Sequence, residues 1–332
     1  MNRPGEAAMC NLFITQDPRS YQAETRAMRL HGYSTSIRLE AAFWTTLEEI
    51  AAKEQLSLAR FVATLYDEIV EKIGNVQNFT SFLRVTCLHY LRNQDLHAQQ
   101  VQARLFPQTL PRMRTLEYAG ICHQARQVGG DYYDFLDLGG ERLGLVVGDI
   151  SGKGIAAALL MANLQANLRS QAAVALDNPR RFLCSVNQLF CQNTFGGSFA
   201  TLFFAEYDDT ARRLRYINCG HLCALLLRAG DSLERLSSTA TILGAFKEWD
   251  CEVQESQLFP GDTLALYTDG ITEAFSPHRE EFGEDRLVQA LRRHRALPPC
   301  DLLSSVVDEV RRFSPHEQHD DITLIIAKCL PD

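Results

Sequence analysis

Aspartate and glycine cluster in four short segments, and each lies at one end of an apolar run with the length and residue types of a β-strand. The segments are Gly129-Gly130-Asp131, Gly148-Asp149-Ile150, Thr268-Asp269-Gly270 and His319-Asp320-Asp321. Both residue types favour turns on their own account, so any one segment is explained by turn formation. Four together predict that carboxylates from neighbouring strands meet at one edge of a sheet.

Such a meeting of carboxylates has an electrostatic consequence. Like charges raise one another's pKa unless a cation neutralises them. Oxygen ligands are typical of hard divalent ions such as Mg2+ or Mn2+. Two such ions, about 3.5–4 Å apart, would share one bridging carboxylate. They would activate a water molecule and orient a phosphoryl group for in-line attack. The four segments therefore predict a metal-dependent centre for phosphoryl-ester hydrolysis.

Strands and helices surround these segments in a pattern that predicts an α+β sandwich. No G-x-G-x-x-G, G-x-x-x-x-G-K-[ST] or G-x-S-x-G motif occurs, so the usual nucleotide-binding and serine-hydrolase patterns are excluded. Strands are expected near residues 117–123, 132–137, 142–149, 199–206, 213–218, 222–228, 251–257, 262–268 and 321–328, and helices near 155–173, 179–193, 284–294 and 300–313.

The first 93 residues follow a different pattern. Alternating residues predict a single strand over 33–39, and three helices are expected to begin near Glu40, Ser57 and Asn78. One strand leaves its backbone hydrogen bonds unpaired, so it needs a partner strand. Symmetric pairing with a second copy supplies one, which predicts a homodimer through residues 21–93.

This region resembles the ribbon-helix-helix proteins, in the variant with a third helix. The resemblance is carried by Tyr33-Ser-Thr-Ser-Ile-Arg-Leu39, Glu40-Ala-Ala-Phe-Trp44 and Leu56-Ser-Leu-Ala-Arg60. In that family the ribbon lies in the DNA major groove, so the resemblance implies that Ser34, Ser36 and Arg38 face DNA. Residues 1–93 contain ten basic and ten acidic side chains, and the predicted strand has one basic residue. Dimerisation is therefore favoured, and DNA contact stays open.

Residues 95–332 resemble the RsbU/SpoIIE-like branch of the metal-dependent type 2C (PPM) protein phosphatases of bacteria. The resemblance implies a PPM-type α-β-β-α sandwich, phosphoserine/phosphothreonine phosphatase activity and two Mn2+ or Mg2+ ions per active site. It also implies a substrate, a phosphorylated STAS-fold anti-sigma-factor antagonist in a partner-switching pathway. The segments that carry it are Ala125–Phe135, Gly148–Gly154, Tyr216–His221, Leu266–Glu273, Glu281–Gly283 and Gln318–Leu324.

The same resemblance assigns metal-binding roles to residues of the four segments. Asp149 would bridge both ions, and the carbonyl of Ile150 would help to hold the second ion. Asp269 and Asp320 would complete the first metal site. Asp131 would bind the second ion or its waters and orient the nucleophile.

Four further residues have assignments around this centre. Asp321 would lie outside the ligand shell, hydrogen-bonded to metal waters, and Arg126 would contact the substrate phosphate. Lys153 either contacts phosphate or belongs to a capped helix start, and the pattern leaves both open. His221 is either an acid for the leaving serine or a structural residue in a turn.

The chain is thus expected to contain a flexible leader (1–20), a ribbon-helix-helix-like domain (21–93), a connector helix or linker (94–113) and a phosphatase domain (114–332). The connector is either a passive linker or a signalling helix. The N-terminus has no signal-peptide pattern and no apolar run reaches the ~18–20 residues of a membrane span, so a cytoplasmic protein is expected. Ten cysteines without C-x-x-C spacing are expected to be reduced.

A competing hypothesis is a ribbon-helix-helix transcription regulator in which the phosphatase-like half is a sensory or scaffolding domain. The aspartates at 131, 149, 269 and 320 are all present. A degenerate domain is expected to have lost some of them, so their presence favours catalysis.

Overall fold

The computed structural model describes residues 17–30, 32–74, 78–172, 178–194, 197–315 and 318–331. Most of the expected leader therefore lies outside the described residues. The chain divides into two compact units, Met1–His97 and Ala98–Asp332. Among the described helices, none is long and apolar enough to cross a membrane.

The first unit begins with a β-hairpin. β1 (Ala23–Leu30) pairs antiparallel with β2 (Tyr33–Glu40), in a register that places Arg26 opposite Ile37. The expectation of a lone strand was wrong, because β2 has its partner within the same chain. β1 was missed because Arg26 interrupts its apolar face; the guanidinium lies over the Trp44 ring at 4.8 Å and pairs with Glu48.

Three helices follow the hairpin: α1 (Ala41–Lys53), α2 (Leu58–Ile73) and α3 (Phe79–Ala103). The Ser57 side chain caps α2 by accepting a hydrogen bond from the Arg60 amide, and Asn78 accepts one from the Ser81 amide at the start of α3. α3 continues through residues expected to form a separate connector helix. The hairpin and helices share one core, which includes Met28, Ile37, Leu39, Trp44, Leu47, Val62 and Leu83.

The second unit contains two five-stranded sheets. The strands are β3 (Leu116–His123), β4 (Tyr132–Asp137), β5 (Arg142–Ile150), β6 (Ala200–Asp208), β7 (Arg213–Cys219), β8 (Ala224–Leu227), β9 (Leu233–Leu236), β10 (Gln254–Gln257), β11 (Thr263–Tyr267) and β12 (Ile322–Cys329). The first sheet has the strand order β10-β7-β6-β5-β4 and the second β3-β12-β11-β8-β9.

Helices cover the outer faces of both sheets. They are α4 (Ile155–Ala172), α5 (Pro179–Phe190), α6 (Asp269–Thr272), α7 (Gly283–Arg293) and α8 (Pro299–Phe313). α4 and α5 pack against the first sheet, while α7 and α8 pack against the second. A separate core between the sheets contains Leu145, Phe203, Leu226 and Ile325. These layers confirm the predicted α-β-β-α sandwich; only the short elements β9 and α6 were not anticipated.

Candidate metal centre

The predicted aspartates lie at the ends of strands from both sheets. Asp149 is the penultimate residue of β5, and Asp131 directly precedes β4, which pairs with β5. Asp269 begins α6, two residues after β11, and Asp320 and Asp321 directly precede β12. β11 and β12 also pair with each other. The sandwich therefore brings the four segments together at one edge.

Two glycines permit the close packing of these segments. A Cβ atom on Gly129 would lie 1.8 Å from Oδ2 of Asp321, and one on Gly270 would lie 1.9 Å from the Asp321 carbonyl oxygen. Neither distance is compatible with a side chain. The glycines beside the aspartates are thus required by the approach of Asp321 rather than by turn conformation alone.

Asp131 is buried and held by two threonine hydroxyls. Its Oδ2 accepts hydrogen bonds from Oγ1 of Thr268 at 2.7 Å and Oγ1 of Thr323 at 2.5 Å. Burial, followed by the charges of Asp149 and Asp321, raises the pKa of Asp131 well above its usual range. The two hydroxyls oppose this shift because they stabilise the ionised carboxylate.

Asp321 organises the backbone around Asp131. Its Oδ1 accepts a hydrogen bond from the Ala125 amide at 2.8 Å, and its Oδ2 accepts one from the Asp131 amide at 3.3 Å. Burial raises the pKa of Asp321 despite these bonds. Its carboxylate is therefore committed to main-chain amides of the segment that carries Asp131.

Asp149, Asp269 and Asp320 form the more open part of the centre. Burial and the charges of Asp269 and Asp320 raise the pKa of Asp149 to about 7. Burial and the charge of Asp320 also raise the pKa of Asp269. Lys153 supplies a local positive charge, because its Nζ donates to Oδ2 of Asp320 at 2.6 Å and to the His319 carbonyl at 3.0 Å.

This donor set fits hard divalent cations. The side-chain ligands are all carboxylate oxygens, and burial, followed by one another's charges, raises the pKa values of Asp131, Asp149 and Asp269, which a cation would counteract. Among the described residues, no three of these aspartates place carboxylate oxygens within 4.8 Å of one another. Water molecules would therefore complete the coordination of each ion.

The other predicted site residues lie around a small cavity at the centre. Arg126 and Lys153 line this cavity of about 10 Å³ together with Asp149, Asp320 and Asp321. A Cβ on Gly130 would lie 3.0 Å from the Ile150 carbonyl oxygen, so that oxygen lies close to the residue before Asp131. The Lys153 ammonium donates hydrogen bonds to Asp320 and to the His319 carbonyl, so its contacts are not limited to the start of α4.

His221 is structural. Its Nε2 lies 3.0 Å from the Tyr267 carbonyl, which only accepts, so Nε2 carries the proton; Nδ1 then accepts from Oγ1 of Thr201 at 2.8 Å. Burial lowers the pKa of His221 to about 4. The neutral ring thus joins β6, beside Asp149, to the end of β11, beside Asp269.

Sequence reasoning missed several residues that support the centre: Gln102, Thr201, Thr268 and Thr323. Gln102 and Thr201 had no local signal. Thr268 and Thr323 flank predicted aspartates within Tyr-Thr-Asp-Gly and Asp-Asp-Ile-Thr. Side chains two residues apart in a strand share a face, so the spacing of Asp321 and Thr323 could have placed Thr323 on the side of the metal centre.

In the first unit, the predicted ribbon residues do share one exposed face. Ser34, Ser36 and Arg38 alternate with buried positions of β2. The register places them opposite Arg29, Ala27 and Thr25 of β1, which are also exposed. These six residues include two arginines, where the sequence alone indicated one arginine; Glu40, at the end of β2 on the same side of the alternation, pairs with Arg84.

Two family models match the chain. Residues 139–330 match the model described as Stage II sporulation protein E (SpoIIE), and residues 23–91 match the Ribbon-helix-helix domain. The phosphoserine phosphatase RsbU of Bacillus subtilis is 27% identical over 235 residues, covering 70% of this chain and 68% of RsbU. The matches span 40% and 68% of the first two curated relatives.

Solved structures agree with these matches. The structure of the RsbU and RsbW domains of Rv1364c from Mycobacterium tuberculosis has a TM-score of 0.58 at 28% identity, covering 67% of this chain and 62% of that chain. The SiaA-PP2C domain of Pseudomonas aeruginosa has the same fold, with a TM-score of 0.64 at 21% identity over 74% of this chain and 98% of that domain. The chain therefore belongs to the SpoIIE family, and its second unit, with the fold of the SiaA-PP2C domain, follows a segment that matches the ribbon-helix-helix domain.

Proposed function

We propose that this chain hydrolyses phosphoserine or phosphothreonine esters in a protein substrate, using Mn2+ or Mg2+. The observation that carries the proposal is the convergence of Asp131, Asp149 and Asp269 with raised pKa values, beside Asp320, at one edge of the sandwich. Bound ions would supply the positive charge that polarises the phosphoryl group and activates water.

The residues of the metal centre would have different roles. Asp149 would bridge the two ions, and the Ile150 carbonyl would add an oxygen ligand to the second ion. Asp269 and Asp320 would bind the first ion. Asp131, whose position is held by Thr268 and Thr323, would bind the second ion or its waters and orient the nucleophile.

Charged side chains at the cavity would bind the phosphate. Arg126 lies beside the turn that follows Asp149, since a Cβ on Gly154 would be 3.9 Å from its guanidinium nitrogen. Lys153 lines the same cavity. Asp321 acts through the backbone of the segment that carries Asp131, rather than through contact with substrate.

The substrate that we propose is a phosphorylated STAS-type anti-sigma-factor antagonist, which dephosphorylation would switch within a partner-switching pathway. Support comes from the similarity to RsbU, named a phosphoserine phosphatase, and to a protein that contains RsbU and RsbW domains.

Hydrolysis by the full chain tests the catalytic proposal. Wild-type protein with Mn2+ is expected to release phosphate from p-nitrophenyl phosphate and from phosphorylated STAS proteins. Asp149→Asn and Asp269→Asn are expected to abolish both reactions, whereas Asp308→Asn, an exposed aspartate of α8, keeps them. Wild-type protein without metal-dependent release would move the assignment to a regulatory, DNA-binding protein.

We also propose a homodimer through residues 21–93. Although β2 is already paired, α3 exposes Val85, Leu88 and Leu91 within the first unit. A run of exposed apolar side chains on one helix favours burial against a second chain. Leu88→Glu is expected to halve the mass measured by light scattering, whereas Leu110→Glu, also exposed but outside this region, keeps it. A wild-type monomer would contradict the proposal.

DNA binding is the second candidate for the first unit, favoured by the two arginines of the ribbon face. Gel-shift assays at stated salt concentrations test it with Arg29→Ala and Arg38→Ala. Loss of a shift in both variants supports DNA contact. Absence of a shift by wild-type protein at low salt excludes it.

A further inference from the structure

A groove lies directly beside the aspartate centre in the second unit. Its volume is about 470 Å³, and it runs between α6, the end of α8 and residues 318–320, before β12. We call it the α6–α8 groove. Its apolar lining residues are Ala274, Phe275 and Pro315, which are exposed or half-buried, and Val310 and Ile322, which are buried.

The groove continues from the metal centre. Lys153 and Asp320 line both the groove and the small cavity that contains Asp149. That cavity, at about 10 Å³, has room for about one water molecule. The residues that flank a phosphoserine must therefore lie outside it, and the α6–α8 groove is a concave surface that shares its wall.

The exposed apolar surface within the groove favours an apolar occupant there. Phe275 leaves 39% of its surface exposed there, although it belongs to a well-packed unit. Contact with an apolar side chain would remove this surface from water, which is favourable. The charged lining residues are Lys153, Arg311, Glu273 and Asp320, two of each sign, so neither sign of charge is favoured overall.

We infer that the α6–α8 groove is a specificity subsite that binds an apolar side chain of the phosphoprotein substrate, close in sequence to its phosphoserine. The inference rests on the proposed phosphatase function, because it requires the phosphoserine to enter the aspartate centre. The groove then determines which phosphoserine is used, while Asp149 and its neighbours perform the chemistry.

Phosphoserine peptides that differ only in the place of one leucine test the subsite. Leucine at one of the neighbouring positions is expected to raise kcat/KM of the full chain about tenfold over a peptide without leucine. Phe275→Ala is expected to remove this preference and to leave hydrolysis of p-nitrophenyl phosphate unchanged, because that ester has no flanking residues. Ser314→Trp, which fills the groove instead of enlarging it, is expected to have the same effect.

Phe259→Ala is the matched control. Phe259 is also an exposed phenylalanine, at 56%, but it precedes β11 at the end opposite Asp269. The subsite is overturned if no leucine position changes kcat/KM, if both groove variants keep the preference, or if Phe259→Ala loses it equally.

The proposed function fails in a distinguishable way. A wild-type protein that hydrolyses neither peptides nor p-nitrophenyl phosphate contradicts catalysis. Fluorescence anisotropy of the leucine peptide in the presence of Mn2+ then decides the subsite, since binding needs no turnover. Weaker binding by Phe275→Ala than by Phe259→Ala supports the groove, and equal binding overturns it.

Discussion

The side chain of Gln102 forms a pair of hydrogen bonds with the backbone of Gly129. Its Nε2 donates to the Gly129 carbonyl at 2.8 Å, and its Oε1 accepts from the Gly129 amide at 3.0 Å. Gln102 is only 4% exposed, in the last turn of α3, and Gly129 lies two residues before Asp131. The end of α3 therefore fixes the segment that places Asp131 in the metal centre.

Replacing Gln102 by Ala is expected to lower metal-dependent hydrolysis and stability together. The variant leaves two buried backbone groups of Gly129 without partners, at a cost of about 1–3 kcal/mol each unless water replaces them. Thermal unfolding and the Mn2+ dependence of hydrolysis measure the two effects. Gln100→Ala, on an exposed position of the same helix, is the control. A Gln102→Ala protein with wild-type metal dependence would show that this contact is only structural.

The threonine hydroxyls on Asp131 provide a second prediction. Thr323→Val keeps the side-chain shape but removes a donor to Oδ2 of Asp131, so the ionised carboxylate loses stabilisation. The Mn2+ concentration for half-maximal hydrolysis is expected to rise about 10–100-fold.

Thr263→Val is the control for that experiment. The Thr263 hydroxyl, in β11, is buried and has no hydrogen-bond partner among the described residues. Its removal is expected to leave metal dependence unchanged and to maintain or increase stability, because an unsatisfied polar group is replaced by a methyl group. Equal effects of the two valine variants would contradict a specific role for Thr323.

Gly129, two residues before Asp131, gives a steric prediction. Gly129→Ala would place a Cβ 1.8 Å from Oδ2 of Asp321, so either the backbone or that carboxylate must move. We expect a stability loss of about 1–3 kcal/mol together with loss of hydrolysis. Gly230→Ala, where a Cβ meets no atom within 4 Å, should retain both. Unfolding free energies and phosphate release provide the comparison, and an active Gly129→Ala enzyme would be incompatible with the packing described.

His221 predicts a pH dependence of stability. Burial lowers its pKa to about 4 from 6.5, so between these values the unfolded chain binds a proton that the folded chain does not. The contribution of neutral His221 is complete above pH 6.5 and is lost as the pH falls towards 4, by roughly 3 kcal/mol.

Denaturant unfolding over this pH range measures the effect. His221→Gln is expected to unfold with a smaller pH dependence than wild type. His278→Gln, at an exposed position of the same unit, should keep the wild-type slope. Identical slopes for all three proteins would rule out His221 as the titrating group.

Local sequence patterns were sufficient for much of the second unit. Fully apolar runs such as Leu143–Val147 predicted strands, and the structure buries alternate residues of this run in the central and outer cores. A strand of this kind is indicated by the residue types of adjacent positions, so the sequence alone is sufficient to predict it. The first unit was less predictable, because Arg26 within β1 obscured the apolar alternation that defines its inner face.

The sequence by itself determined that aspartates would end several strands and that glycines would accompany them. Only the tertiary structure decided which groups hold each carboxylate. Thr323 is 192 residues from Asp131, and Gln102 is 27 residues from Gly129. Hydrogen bonds and grooves of this kind arise from the packing of sheets and helices against one another, and residue spacing along the chain does not encode these distances.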